Sequence, residues 1–174
     1  WRNTRRSRCC SSATATTDGQ RIYASFGTHG LAAFDFSGKL VWHTKLGDLS
    51  NYHGSAGSPV LYKDRLFLYQ DHDGTATLGS YVAAFDARTG KVLWKTDRTA
   101  SVGWGTPIVI RTGDHDELVI NSQGRVHAYN PDTGAELWSV LDHLVYRGTT
   151  LLLTTQSLDE AERLADDIIV IDHG

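Results

Sequence analysis

A short word that recurs three times limits what this chain can fold into. Its clearest copy runs from Ala84 to Trp94 (Ala-Phe-Asp-Ala-Arg-Thr-Gly-Lys-Val-Leu-Trp), and Ala128 to Trp138 aligns with it position for position. Ala33 to Trp42 is the same word with one turn residue deleted. The three tryptophans stand 52 and 44 residues apart, a period that suits one four-stranded unit per repeat. Each word reads as a hairpin. Alternating apolar residues lead into Asp35, Asp86 or Asn130, whose side chains accept backbone N–H groups across a turn. Gly38, Gly90 or Gly134 supplies the left-handed residue that closes it. A second short strand then presents Trp42, Trp94 or Trp138 at a fixed offset, where a large ring can cover a neighbouring unit.

Two further strand-like runs precede the later copies: 58–62 and 65–69 before the second, 106–110 and 117–121 before the third. The first copy keeps only 21–26, with Asp18-Gly19 as its turn. The expected fold is therefore mainly β: a partial β-propeller with two complete four-stranded blades and most of a third. The Ala-x-Asp-x-x-Thr-Gly-x-x-x-Trp pattern at 84–94 and 128–138 resembles the PQQ-like (quinoprotein-type) β-propeller repeat, over about residues 16–140. The resemblance implies blade docking by Trp42, Trp94 and Trp138 against the alanine and glycine of a neighbouring copy, the candidate partners being Ala33, Gly38, Ala84, Gly90, Ala128 and Gly134. It also implies an extracytoplasmic parent, such as a periplasmic scaffold of the outer-membrane assembly type. It does not imply a bound quinone, because fold and ligand are separate matters. Closed propellers of this family need more blades, so association through open blade faces is expected to be possible.

From about residue 141 the pattern changes. Residues 148–156 read as a buried strand, 157–165 as a short helix with a Ser157/Glu160 capping box, and 168–171 as a second buried strand. Such a β-α-β succession belongs to a parallel sheet. The words Leu-Leu-Thr-Thr-Gln, Leu-Asp-Glu-Ala-Glu-Arg-Leu-Ala-Asp and Ile-Asp-His-Gly resemble the switch region of an ABC-transporter ATPase domain of the drug-export subtype. There the position of Gln156 would face the nucleotide γ-phosphate. The glycine loop with its lysine, the Mg²⁺-binding acidic strand and the signature loop have no counterpart here, so ATP hydrolysis is not expected. Residues 1–15 match neither part, and the adjacent Cys9 and Cys10 fall in this Ser/Thr/Arg-rich stretch. With no methionine anywhere, the expectation is a fragment or chimera of an extracytoplasmic and a cytoplasmic parent, with its seam within 136–148.

The net charge of −3 argues against a general nucleic-acid binder, and no apolar run is long enough to span a bilayer. Asp71-His72-Asp73 and Asp114-His115-Asp116-Glu117 combine carboxylates with imidazole, but they fall in loops opening on opposite faces of a propeller. Each is expected as a solvated turn, and no metal site is expected. The resemblance places the ligand face at Asn51, Tyr52, His53, Asp71, His72, Asp73, Ser101 and Trp104, a polar, aromatic rim suited to a small ligand or an extended peptide. No nucleophile-elbow pattern accompanies the histidines. The leading expectation is a non-catalytic scaffold fragment for ligand or protein binding, the partner being another protein or an extended peptide, without quinone or nucleotide. The alternatives are a fragment of a quinone-dependent dehydrogenase and a remnant of a drug-export ATPase.

Overall fold

A computed structural model describes residues 13–47, 57–72, 79–99, 103–122 and 125–140. The chain divides into two compact units, Trp1–Ser139 and Val140–Gly174. The β-α-β segment expected at 148–171, Gln156, Cys9 and Cys10 lie outside the described residues.

The described residues form three antiparallel four-stranded sheets, each ordered as in the chain. The first holds β1 (Thr16–Thr17), β2 (Arg21–Ser25), β3 (Leu31–Asp35) and β4 (Leu40–Thr44). The second holds β5 (Val60–Tyr62), β6 (Arg65–Gln70), β7 (Ser80–Asp86) and β8 (Val92–Arg98). The third holds β9 (Ile108–Thr112), β10 (His115–Ser122), β11 (Arg125–Tyr129) and β12 (Glu136–Val140). These are the blades of a partial β-propeller. The first has all four strands, although its β1 is only two residues long.

The turns behave as side-chain chemistry dictates. Asp86 Oδ1 accepts Arg88 N, Thr89 N and the Thr89 hydroxyl, and Gly90 N bonds back to Asp86 O at φ +70°. Asn130 does the same for Asp132 N and Thr133 N, with Gly134 N on Asn130 O. The deletion tightens the first copy, where Gly38 N bonds to Asp35 O, three residues back instead of four.

Strand alternation sends the second blade's side chains to two different cores. Leu66 and Leu68 of β6, with Tyr81, Ala83 and Phe85 of β7, pack on Tyr23, Leu31 and Ala33 of the first blade. Phe67 and Tyr69, with Val82 and Ala84, pack on Leu118, Ile120 and Tyr129 of the third. β6 and β7 are therefore apolar on both faces, which is why 65–69 and 80–85 lack a clean hydrophobic alternation.

Candidate functional site

The two joints between blades share one geometry. Trp42 Nε1 donates to Ala87 O (3.0 Å), and Trp94 Nε1 donates to Pro131 O (3.1 Å). Two residues on, Thr44 Oγ1 donates to Gly90 O (2.6 Å) and Thr96 Oγ1 to Gly134 O (2.7 Å). Each indole lies against an aromatic ring of its own blade, Tyr23 at 6.0 Å and Phe67 at 5.9 Å, both at 36°. The receiving glycines have no room for a side chain: a Cβ at Gly90 would lie 2.7 Å from Trp42 Cδ2, and one at Gly134 2.7 Å from Trp94 Cδ2. Ala33, Ala84 and Ala128 are buried beneath the same faces.

The third copy differs. Trp138 Nε1 donates to Glu117 Oε2 of its own sheet (2.8 Å). Glu117 Oε1 is also bonded to His115 Nε2 (2.8 Å), and the carboxylates of Asp114 and Glu117 raise the imidazole pKa above its ordinary value. Trp138 therefore shares the sequence position of Trp42 and Trp94, but its acceptor is a carboxylate of its own blade, and no blade follows the third among the described residues. At Gly38 in the first blade, no described residue lies within 4 Å of an added Cβ.

A polar cluster is buried between the second and third blades. The Arg98 side chain at the end of β8 is fully buried, as is that of Asp71, with Arg98 Nε 3.6 Å from Asp71 Oδ1. Arg98 Nη2 donates to Ser122 Oγ of the third blade, and Ser122 Oγ in turn reaches Asp71 Oδ2 at 3.3 Å. The guanidinium also lies over Tyr69 (5.2 Å) and Tyr129 (5.9 Å), one ring from each blade. Burial pushes the Asp71 carboxyl up to about 6, against the pull of Arg98 and its hydrogen bonds. Burial, and next the Arg98 charge, hold the neighbouring His127 imidazole below its ordinary pKa.

This corrects two expectations from the sequence. Asp71 and His72 are not a solvated rim but are 3% and 5% exposed, because the third blade covers the end of β6. His115 and Asp116 are not loop residues: the turn closes at Gly113 (φ +60°), so β10 begins at His115, two residues before the strand expected from Glu117. Asp116 is taken up by Lys63 (3.0 Å), Arg111 (3.0 Å) and Tyr62 (2.9 Å), and these bonds hold its carboxyl well below the usual range.

Of the expected ligand face, Trp104 remains at the surface, 48% exposed. Its flanking glycines are packed closely. A Cβ at Gly103 would meet Asp71 Oδ2 at 3.0 Å and Asn121 O at 3.1 Å, and Gly105 O accepts the Tyr69 hydroxyl at 2.6 Å. Asn51, Tyr52, His53, Asp73 and Ser101 lie outside the described residues. The threonine two residues after Trp42 and Trp94 is a repeated feature of the sequence whose role only the blade joint shows. Arg98 and Ser122 carry no repeat signal, since their counterparts differ from blade to blade.

Comparison with known proteins agrees with this geometry. Residues 78–141 match the family model described as outer membrane protein assembly factor BamB. The BamB of Bordetella pertussis is 29% identical over 133 residues, covering 72% of this chain and 28% of that protein. The daunorubicin/doxorubicin resistance ATP-binding protein DrrA of Streptomyces peucetius is 56% identical over 45 residues, 26% of this chain and 14% of that protein. This chain thus spans well under two thirds of either relative. Among solved structures, BamB from Moraxella catarrhalis superposes with a TM-score of 0.52 at 18% identity over 74% of this chain and 35% of that one. A europium-containing methanol dehydrogenase gives 0.59 at 15% identity over 74% and 32%. At such identities these two show the fold alone. The chain carries a partial β-propeller similar to the PQQ-like repeats of BamB, together with a short resemblance to drug-export ATP-binding proteins.

Proposed function

We propose that the blades form a non-catalytic scaffold that binds an extended segment of another protein, without bound quinone or nucleotide. The observation that carries this reading is the Gly103-Trp104-Gly105 strap. Two glycines packed against Asp71, Asn121 and Tyr69 hold a half-exposed indole beside the joint of two blades. A ring held this way offers large contact area at little entropic cost, as protein-binding surfaces require. The charged groups beneath it are already engaged: Asp71 pairs with Arg98 inside the joint. The likeness to an outer membrane protein assembly factor supports a protein partner and a place outside the cytoplasm for the propeller part.

The test uses the full chain, with a fluorescent strand-forming peptide of alternating aromatic and polar residues as probe. Trp104→Ala is expected to weaken binding at least about tenfold, in keeping with loss of an aromatic anchor, while circular dichroism shows the β-sheet signal of the folded chain retained. Equal binding by Trp104→Ala, or quinone-dependent dye reduction by the wild-type chain, overturns the reading.

A further inference from the structure

The three copies of the docking word allow a comparison within one molecule. In the first two, four features occur together: an aromatic under the indole (Tyr23, Phe67), an indole N–H that crosses to the next blade, a threonine hydroxyl that follows it across (Thr44, Thr96), and an arginine at the start of the second strand (Arg21, Arg65). Arg65 also crosses, donating to Pro131 O (3.2 Å) and to Asp132. In the third copy the tryptophan is kept, and the residues at the other three positions are changed. Val119 pairs with Ala128, as Tyr23 pairs with Ala33 and Phe67 with Ala84. Val140 stands where Thr44 and Thr96 stand. Glu117 precedes Leu118 as Arg65 precedes Leu66, so a charge reversal occupies the arginine position. That glutamate, nearly buried, accepts the Trp138 N–H.

The first blade is altered on its receiving side. Its turn is one residue shorter, with Gly38 N on Asp35 O. Phe36, 65% exposed, follows the turn aspartate where the second blade has Ala87, whose carbonyl takes the Trp42 N–H. A bulky ring therefore projects at the place where docking elsewhere uses a small residue and a bare carbonyl.

We propose that Glu117 is a latch that holds the third blade's docking tryptophan, Trp138, within its own sheet, so that a second copy of this chain does not dock there by the geometry joining the blades within one molecule. To cross, the Trp138 indole would have to give up a hydrogen bond to a carboxylate, the stronger kind, for one to a neutral carbonyl. No threonine would follow it, and the first blade of another copy would meet it with Phe36.

Indole N–H exchange in the full chain tests this, with Trp138→Phe assigning the resonance. In the wild type the Trp138 N–H should be protected to the same degree across a hundredfold dilution, and sedimentation should match that of Trp138→Ala. In Glu117→Leu that N–H should exchange about tenfold faster, the loss of one hydrogen bond. The Trp42 and Trp94 signals should stay as they are and report an intact fold. Self-association of the wild type that Trp138→Ala abolishes would overturn the proposal. So would Trp138 protection that falls on dilution, or protection that survives Glu117→Leu with the other two signals unchanged.

Discussion

Two glycines of the same repeat should answer an added methyl group very differently. Gly90 and Gly38 both sit at positive φ, +70° and +84°. Alanine at either position must enter the left-handed region, at about 1–2 kcal/mol, partly offset by about 0.4–1 kcal/mol of reduced freedom in the unfolded chain. At Gly38 that is the whole effect, because no described residue lies within 4 Å of the new Cβ. At Gly90 the Cβ would also press on the Trp42 ring and come within 2.8 Å of Thr44 Oγ1. The indole cannot swing aside without loosening its bond to Ala87 O and its contact with Tyr23. Overpacking of this kind costs about 1–3 kcal/mol, and each weakened hydrogen bond about 1 kcal/mol more. Gly90→Ala should therefore exceed Gly38→Ala by about 2–4 kcal/mol. At an m-value of about 2 kcal/mol/M, that is a urea midpoint lower by about 1–2 M. Gly134→Ala should fall with Gly90→Ala, since its Cβ would meet Trp94 and Thr96 in the same way. Equal losses for Gly90→Ala and Gly38→Ala, at unchanged m-value, would show that the indole is not held on the glycine and would refute the docking argument.

Other expectations follow from the same joints. Thr96→Val should lower stability by about 1 kcal/mol, measured by urea unfolding, because the Gly134 carbonyl loses its hydroxyl donor. Asp71 has a folded pKa of about 6, above the ordinary 3.8, so the stability it contributes is full below 3.8 and is lost as pH rises through 6. Asp71→Asn should accordingly remove a decline between those two values that wild-type urea midpoints show across a pH series. Arg98→Leu takes away the charge that holds the Asp71 pKa down, leaving a buried carboxylate without a counter-charge. It should cost about 3–5 kcal/mol at pH 7 and clearly less at pH 5, where Asp71 is protonated. A loss independent of pH would mean that Arg98 acts only by filling space between Tyr69 and Tyr129.

The repeated word determined, from sequence alone, the strand order, the turns and the identity of the docking rings, because each depends on residues within about a dozen positions of one another. Asp86 finds Thr89 and Gly90 in any chain that carries them in that order. The resemblance to a PQQ-like repeat and to a drug-export ATPase was legible for the same reason, both being local strings. Contacts between sheets were not legible. Asp71 reads as a loop residue until the third blade covers it and brings Ser122 to its carboxylate. Arg98 carries no signal in the sequence, because the rings its guanidinium lies over, Tyr69 and Tyr129, belong to other strands. Trp138 reads as identical to Trp94, since the difference lies in Glu117, a residue of another strand. Local words set which backbone turns and which ring is offered. Whether that ring crosses to a neighbour or stays at home depends on the acceptors that packing brings within 3 Å, and only the stacked sheets decide that.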